Sequence, residues 1–258
     1  MNHARAVDAV QRFGPPLGVA ALLILAWDAA VRWTGSDLFP KPVDVLAGIV
    51  ELASKGLLIK YVVASLFRVT IGFLLAVLLG VPLGLVCGWV PALARALNPL
   101  IQVLRPISPI AWIPVAILWF GVDDRAPIFL IFLASVFPIT VSSMAAVQGI
   151  QPVYLRAARN FGLGRVELFR RVILPATLPQ ILTAVRIALG IAWLVVVAAE
   201  MIAVNSGLGF LIIDARNAGK RYDLVVAGMV LIGLIGLCLD QLVRRLERFD
   251  EVAWGFNR

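Results

Sequence analysis

The chain has 258 residues, of which 61% are hydrophobic and only 15% are charged, and its mean hydropathy is +0.96. A soluble domain carries about 25% charged residues, so this composition excludes an ordinary soluble protein. The apolar residues form long continuous runs rather than the short alternating segments of barrel strands, which predicts an all-α integral membrane protein. The net charge of +8 indicates topology and not nucleic-acid binding, because no aromatic–basic interleaving or zinc-ligand spacing accompanies it.

Six apolar runs are long enough to cross a membrane as helices. They are Pro15–Val31, Tyr61–Trp89, Leu97–Phe120, Pro127–Val147, Leu178–Val204 and Leu224–Val243. The first run has no clear cleavage site and is interpreted as a span, not a signal peptide. Lys and Arg are more frequent in the loops that share a side with both termini, which places the tails 1–14 and 244–258 in the cytoplasm. Residues 15–243 form the transmembrane domain, and its loop 149–176 is also cytoplasmic.

Prolines interrupt two of the predicted spans. Pro106, Pro109 and Pro114 fall in the third span and Pro138 in the fourth. Proline removes a backbone donor, and freed carbonyls at membrane depth are tolerated where they line a cavity or are covered by protein. Nearby hydroxyl groups favour a polar pathway, although serine and threonine also serve as packing contacts between helices. The candidate path residues are Arg105, Ser108, Ser135, Thr140, Ser142, Ser143, Glu200 and Asn205.

The second span carries a small residue at every fourth position. These residues are Gly72, Ala76, Gly80, Gly84 and Gly88. Residues four apart lie on one face of a helix, and a smooth face lets another helix approach closely in lipid. The pattern predicts close packing with a helix of this chain or, alternatively, of a second copy. Outside the spans, Val43–Leu52 and Phe210–Asn217 are predicted to form short helices on the outer face.

Six ionisable residues fall in or near the spans: Asp28, Arg68, Arg105, Arg186, Glu200 and Asp240. Arg68, Arg186 and Asp240 lie near predicted span ends, where we expect their charged groups to reach the interface. Glu200 lies deeper and needs a partner, such as a backbone donor or a polar group of an outer gate. Arg186 cannot be that partner, since it lies fourteen residues earlier on the same helix and about 21 Å away. We expect a structural role for Glu200.

The cytoplasmic loop before the fifth span predicts a compact helix–glycine–helix unit with a basic surface. Ala157 and Ala158 keep the first helix thin, and Gly162 can adopt the left-handed conformation that ends it. Val166, Phe169 and Val172 give the second helix an apolar ridge, and we expect Pro175 to stop it. Such a unit is suited to docking in a groove of a partner; alternatively, it is a basic loop that binds anionic lipid.

This loop resembles the coupling motif of bacterial ABC importer permeases, E-A-A-x3-G-x9-I-x-L-P. Ala157, Ala158, Gly162, Leu174 and Pro175 are in register, whereas Arg156 replaces Glu and Val172 replaces Ile. The substitution at Arg156 argues against a salt bridge that the family makes there. The segments Ser65–Gly72, Arg105–Pro114 and Ala199–Gly209 resemble the nitrate/sulfonate/taurine/bicarbonate-type permeases, and the resemblance covers nearly the whole chain after Leu17.

The resemblance implies a type I ABC importer permease in a bacterial inner membrane, working as a homodimer. A cytoplasmic ATPase dimer would receive the coupling loop, and a periplasmic or lipid-anchored binding protein would dock on the outer face. The implied solute is a small oxyanion or organosulfonate, with bicarbonate, riboflavin or a pyrimidine precursor of thiamine as alternatives. The implied coupling residues are Arg156, Ala157, Ala158, Gly162, Val166, Phe169, Leu174 and Pro175.

The sequence offers no catalytic chemistry of its own. It has no G-x4-G-K-[ST] loop, so ATP and Mg²⁺ are expected on the partner ATPase and no cofactor or metal on this chain. His3 lies in a terminal tail, and Cys87 and Cys238 lie far apart in apolar runs. A secondary transporter would need a midplane relay of paired ionisable groups, and a membrane enzyme would need a clustered nucleophile or metal site. Neither is visible.

Overall fold

A computed structural model describes residues 2–35 and 39–246, and all regular elements in these ranges are helices. The first six are α1 (Asn2–Thr34), α2 (Pro42–Ser54), α3 (Leu57–Trp89), α4 (Pro91–Leu104), α5 (Ile113–Phe120) and α6 (Arg125–Gln148). The others are α7 (Pro152–Asn160), α8 (Arg165–Leu168), α9 (Leu174–Ala203), α10 (Leu208–Gly219) and α11 (Tyr222–Leu246). The all-helical prediction is confirmed, as are the two short helices, which lie in α2 and α10. Residues 247–258 of the predicted C-terminal tail lie outside the described residues.

Four helices among the described residues are long and apolar enough to cross a membrane. They are Leu57–Trp89, Arg125–Gln148, Arg165–Ala203 and Tyr222–Arg245. A fifth span results if α4 and the bent segment Pro109–Phe120, which meet at 83°, count as one. The predicted first span lies within α1, which is not among these candidate spans. Six spans therefore remain a prediction.

The proline breaks predicted for the third span are present, whereas the break predicted at Pro138 is wrong. α4 ends at Leu104, and a 3-10 helix at Pro109–Trp112 precedes α5. Two closely spaced prolines, Pro106 and Pro109, remove donors from successive turns, so the α-helical ladder cannot continue. α6 runs through Pro138 without interruption because only one donor is missing and the helix packs closely on its neighbours α3 and α9.

The small residues of α3 pack against α6 of the same chain. A Cβ atom added at Gly72 would lie 2.8 Å from Ile131 Cβ, and one added at Gly88 would lie 2.6 Å from Val147 Cβ. Ala76 between them is completely buried. The prediction of close packing within the chain is confirmed, and the alternative that this face forms a seam with a second copy is wrong. The absence of side chains lets the two backbones approach closely enough for van der Waals packing in lipid.

The described residues form two compact units. One comprises those of Met1–Ile59 and Leu211–Val230, and the other those of Lys60–Phe210 and Leu231–Arg258. In the first unit, Glu51 accepts hydrogen bonds of 2.6 Å from both Arg221 Nη2 and Lys55 Nζ. The bond from Arg221, and then that from Lys55, lower the pKa of Glu51 to about 2. This ion-pair cluster ties α2 to the start of α11.

Candidate functional site

The helix–glycine–helix unit predicted for residues 149–176 is present, and its turn is a Schellman motif. α7 ends at Asn160, and Gly162 follows with φ +80. The backbone N–H of Gly162 donates to Arg159 O at 2.9 Å, and that of Leu163 donates to Ala158 O at 3.2 Å. These two bonds satisfy carbonyls that the helix end leaves unpaired. Glycine is favoured here because most residues with a Cβ atom are strained in the left-handed conformation.

One side of this unit is anchored in an apolar cluster of the second compact unit. Ala158, Leu168 and Ile173 are buried, with exposed fractions of 8%, 2% and 0%. They pack with Leu85 of α3 and Val147 of α6. Ala157, beside Ala158, is exposed, so only one of the two alanines of the motif contacts the cluster. The cluster holds both short helices firmly on the ends of two spans.

The other side of the unit is exposed and carries both apolar and basic side chains. Phe161 is 85% exposed, Val166 70% and Tyr154 59%. Phe169 and Val172, in contrast, are partly buried in the apolar cluster, which divides the predicted ridge. The exposed arginines are Arg156, Arg159, Arg165, Arg170 and Arg171. We call this exposed side the basic knob. Several large apolar residues exposed on one short unit are typical of a protein or membrane interaction site.

The expectation that Pro175 stops the second helix is wrong. Helical structure continues from Arg165 to Ala203, and Pro175 lies in the first turn of α9. A five-residue π-helical turn, Phe169–Ile173, precedes it, and Leu174 N–H donates to Phe169 O. The wider turn lets the chain pass a residue without an N–H group and with a bulky ring. The basic knob is therefore continuous with a helix that runs about 50 Å to Glu200.

Two segments more than 130 residues apart in the sequence meet in a buried ion pair at the other end of α9. Arg68 of α3 is 2% exposed and Glu200 of α9 is 0% exposed, and Arg68 Nη1 lies 2.7 Å from Glu200 Oε1. Glu200 Oε2 also accepts hydrogen bonds from Ser65 Oγ at 2.8 Å and from Gly209 N–H at 3.0 Å. The predicted backbone partner of Glu200 is confirmed. The expectation that Arg68 reaches the interface is wrong, because a buried carboxylate holds it inside.

The same network fixes the turn between α9 and α10. Arg68 donates to the backbone carbonyl of Ser206 at 2.7 Å and to its hydroxyl, and Leu208 N–H donates to Ser65 Oγ at 2.9 Å. Gly207 has φ +105, and any Cβ atom there would collide with the Glu200 carboxylate. The turn thus needs glycine for both its conformation and its close approach to the ion pair.

A second intramembrane ion pair joins α9 to α11. Arg186 Nε lies 2.7 Å from Asp240 Oδ1, and the two side chains are 25% and 41% exposed. Asp240 also contacts Arg244 at 3.2 Å. Arg186 and Asp240 thus pair across two neighbouring helices, and their expected position near the membrane interface stays a prediction. Because both side chains are partly exposed, water can hydrate either charge if this pair separates, which is not so for the buried pair of Arg68 and Glu200.

The candidate path residues are distributed over several places. Arg105, Ser108 and Asn205 are exposed, the first two within the break of the bent span, and Ser142 is half-buried. Thr140 is buried and donates to Val136 O. The remaining residues, Ser135, Ser143 and Glu200, are buried too, and the first two have no hydrogen-bond partner among the described residues. They do not form one cluster, and the path stays a prediction.

Sequence reasoning missed the Arg68–Glu200 pair and the role of Asp124. The Asp124 carboxylate lies 2.8 Å from Arg68 Nε, yet Asp124 is in a short connection that drew no attention. A signal for the pair was present, since opposite charges in two long apolar spans are expensive unless they meet. No comparable signal pointed to Asp124.

Comparisons with known proteins agree with this architecture. The family described as "Binding-protein-dependent transport system inner membrane component" matches residues 80–249. The taurine transport system permease protein TauC of Escherichia coli (strain K12) is 37% identical over 238 residues, which is 89% of this chain and 86% of that protein. The nitrate import permease protein NrtB of Synechocystis sp. is 35% identical over 243 residues, 90% of this chain and 87% of that protein.

Solved structures show the same fold. A chain of the MetNI methionine ABC transporter in an inward-facing conformation has a TM-score of 0.60 at 21% identity, covering 74% of this chain and 97% of its own. A chain of the bacterial alginate ABC transporter has a TM-score of 0.62 at 17% identity, covering 93% and 96%.

Proposed function

Because the chain belongs to the family of binding-protein-dependent transport system inner membrane components, we propose that it imports a small oxyanion or organosulfonate. It is a multi-pass inner membrane protein and the non-catalytic permease of an ABC importer of the taurine/nitrate type. The observation that supports the solute class is the similarity to taurine and nitrate permeases over about nine-tenths of the chain. Taurine carries a sulfonate and nitrate is an oxyanion, so both solutes present negatively charged oxygen atoms.

The basic knob is the surface that we expect to contact the ATPase. Phe161, Val166 and Tyr154 expose apolar area that a partner would cover, and the surrounding arginines favour an acidic groove. The buried side of the helix–glycine–helix unit packs on α3 and α6. A displacement of the ATPase subunit is therefore transmitted to two spans and, through the continuous helix, to α9.

The remaining assembly follows the resemblance. We propose a homodimer with both termini and the basic knob in the cytoplasm, and a binding protein on the opposite face. The candidate path residues Arg105 and Ser108 lie where the third span is bent by 83°. An exposed arginine and hydroxyl at a broken span suit the passage of an anion.

The test is ATPase activity of the permease reconstituted with its ATPase and binding protein in lipid nanodiscs. The solutes are taurine, alkanesulfonates, nitrate, bicarbonate, riboflavin and pyrimidines, and each is also measured without binding protein. We expect stimulation by a sulfonate or by nitrate, and only when the binding protein is present. Stimulation by riboflavin or a pyrimidine alone would contradict the proposed solute class. Failure to assemble with any ATPase would contradict the proposed coupling.

A further inference from the structure

The Arg68 guanidinium bridges two carboxylates of very different exposure. Glu200 is fully buried, whereas the side chain of Asp124 is 48% exposed. Arg68 Nη1 contacts Glu200 Oε1 at 2.7 Å, and Nε and Nη2 contact Asp124 Oδ1 at 2.8 and 2.7 Å. Together with the bonds to Ser206, these contacts use all three nitrogen atoms of the guanidinium.

Breaking the two carboxylate contacts has unequal consequences. Separating Arg68 from Glu200 would leave the fully buried Glu200 carboxylate without a counter-ion, which is strongly unfavourable. Separating Arg68 from Asp124 leaves the buried pair intact, and water can hydrate the Asp124 carboxylate at once. The contact with Asp124 is therefore the part of the network that can open while the rest stays closed.

Asp124 occupies the connection between the bent span and α6. It follows α5 by a short segment that begins with Gly121 at φ +76, and it directly precedes Arg125, the first residue of α6. The same segment adjoins the bent span that carries the candidate path residues. A movement of the bent span relative to α6 acts directly on this connection, and the contact of Asp124 with Arg68 attaches the connection to α3.

We propose that Asp124 is a positioning residue for transport, whose contact with Arg68 closes and opens once in each transport cycle. In one state it holds the segment Phe120–Asp124 on α3, and in the other it releases the segment, while Arg68 and Glu200 remain paired in both. This inference rests on the movement of an ABC importer permease and not on the identity of the solute.

The test measures the exposure of the connecting segment in two nucleotide states. Cys87 and Cys238 are the two cysteines of the chain, and their replacement by Ala and Ser leaves Val122→Cys as the only thiol. Val122 is 60% exposed and lies in the segment. Maleimide labelling is followed in nanodiscs for the complex with its ATPase, first nucleotide-free and then trapped with Mg-ATP and vanadate. We expect labelling rates that differ about fivefold, as loss of one partly exposed charged contact would produce.

Asp124→Asn removes the carboxylate charge from the contact and is expected to abolish the difference, with rapid labelling in both states. Asp123→Asn is the matched control. Asp123 is 61% exposed, reaches Arg125 only at 4.0 Å, and its Oδ1 accepts from Asp124 N–H, which an asparagine oxygen can still do. The control should keep the fivefold difference, and Asp124→Glu should restore part of it.

Three results would overturn the proposal. They are equal labelling of the two states in the parent protein, an unchanged difference in Asp124→Asn, and failure of Asp124→Asn to fold or to assemble with the ATPase. The last result would mean that Asp124 is a structural residue and not a releasable one. The experiment contains no solute, so these results are independent of the proposed oxyanion or sulfonate specificity.

Discussion

Replacement of Arg68 by Met tests how much the buried ion pair contributes to the stability of the protein. Methionine keeps much of the length and volume of the arginine stem but removes its charge and five N–H groups. Glu200 would keep its bonds from Ser65 and Gly209 but lose its only charged partner among the described residues. Leaving one charge of a buried pair without a counter-ion costs about 3–5 kcal/mol. Arg68 also holds Ser206 and Asp124, so the expected loss lies at the upper end of that range.

The measurement is the midpoint of thermal unfolding in detergent, followed by size-exclusion chromatography after heating. A protein of this size loses about 2–4 °C per kcal/mol, so Arg68→Met should lower the midpoint by roughly 10 °C or more. Arg125→Met is the matched control, because Arg125 is 78% exposed and contacts Asp123 only at 4.0 Å. The control should change the stability by less than about 0.5 kcal/mol.

The double variant Arg68→Met/Glu200→Gln distinguishes an ion-pair effect from simple loss of packing. Removing both charges abolishes the uncompensated carboxylate, so the double variant should be more stable than Arg68→Met alone, by about 1–2 kcal/mol. The single variant Glu200→Gln completes the cycle; if its loss of stability and that of Arg68→Met simply add up in the double variant, the charges are not coupled and the reasoning is refuted. Equal midpoints for Arg68→Met and Arg125→Met would refute it as well.

Three further predictions concern other parts of the chain. Gly84→Ala places a Cβ atom 2.6 Å from the Cβ of a facing serine of α6 and should destabilise the protein by about 1–3 kcal/mol. Its control, Gly190→Ala, meets nothing within 4 Å and should be neutral or slightly stabilising. Both are measured by the midpoint of thermal unfolding. Gly162→Val forces a β-branched residue to φ +80 and should reduce ATPase-coupled transport by distorting the basic knob. Lowering the pH from about 5 to about 2 should destabilise the first compact unit. The Glu51 carboxylate has a depressed pKa, so its contribution to stability is lost as the pH falls from its ordinary pKa of 4.5 to about 2. This part of the pH dependence should vanish in Glu51→Gln.

Each of these predictions has a decisive comparison. Equal midpoints for Gly84→Ala and Gly190→Ala would show that α3 and α6 are not in close contact. Gly162→Asn should retain coupling, because asparagine tolerates the left-handed conformation and the space around Gly162 is open; loss of coupling in this variant as well would indicate a requirement other than backbone conformation. A pH dependence that Glu51→Gln leaves unchanged would mean that the bonds from Arg221 and Lys55 do not persist in solution.

Local features of the sequence predicted local features of the structure well. The left-handed turn at Gly162, the short helices α2 and α10, and the breaks around Pro106 and Pro109 follow from properties of single residues. The helix breaks predicted at Pro138 and Pro175 are wrong. Packing against neighbouring helices accommodates Pro138, and a π-helical turn accommodates Pro175, and neither is visible in the adjacent sequence.

The sequence by itself determined that the chain is helical and membrane-embedded, because the solvation of long apolar runs and the backbone need for hydrogen bonds depend on composition and order alone. It also determined which helix face is smooth enough for close packing. Only the tertiary structure decided that α6 covers this face and that Arg68 meets Glu200 and Asp124. Pairing between residues more than 50 positions apart depends on which spans become neighbours, and periodicity within one helix carries no information about that choice.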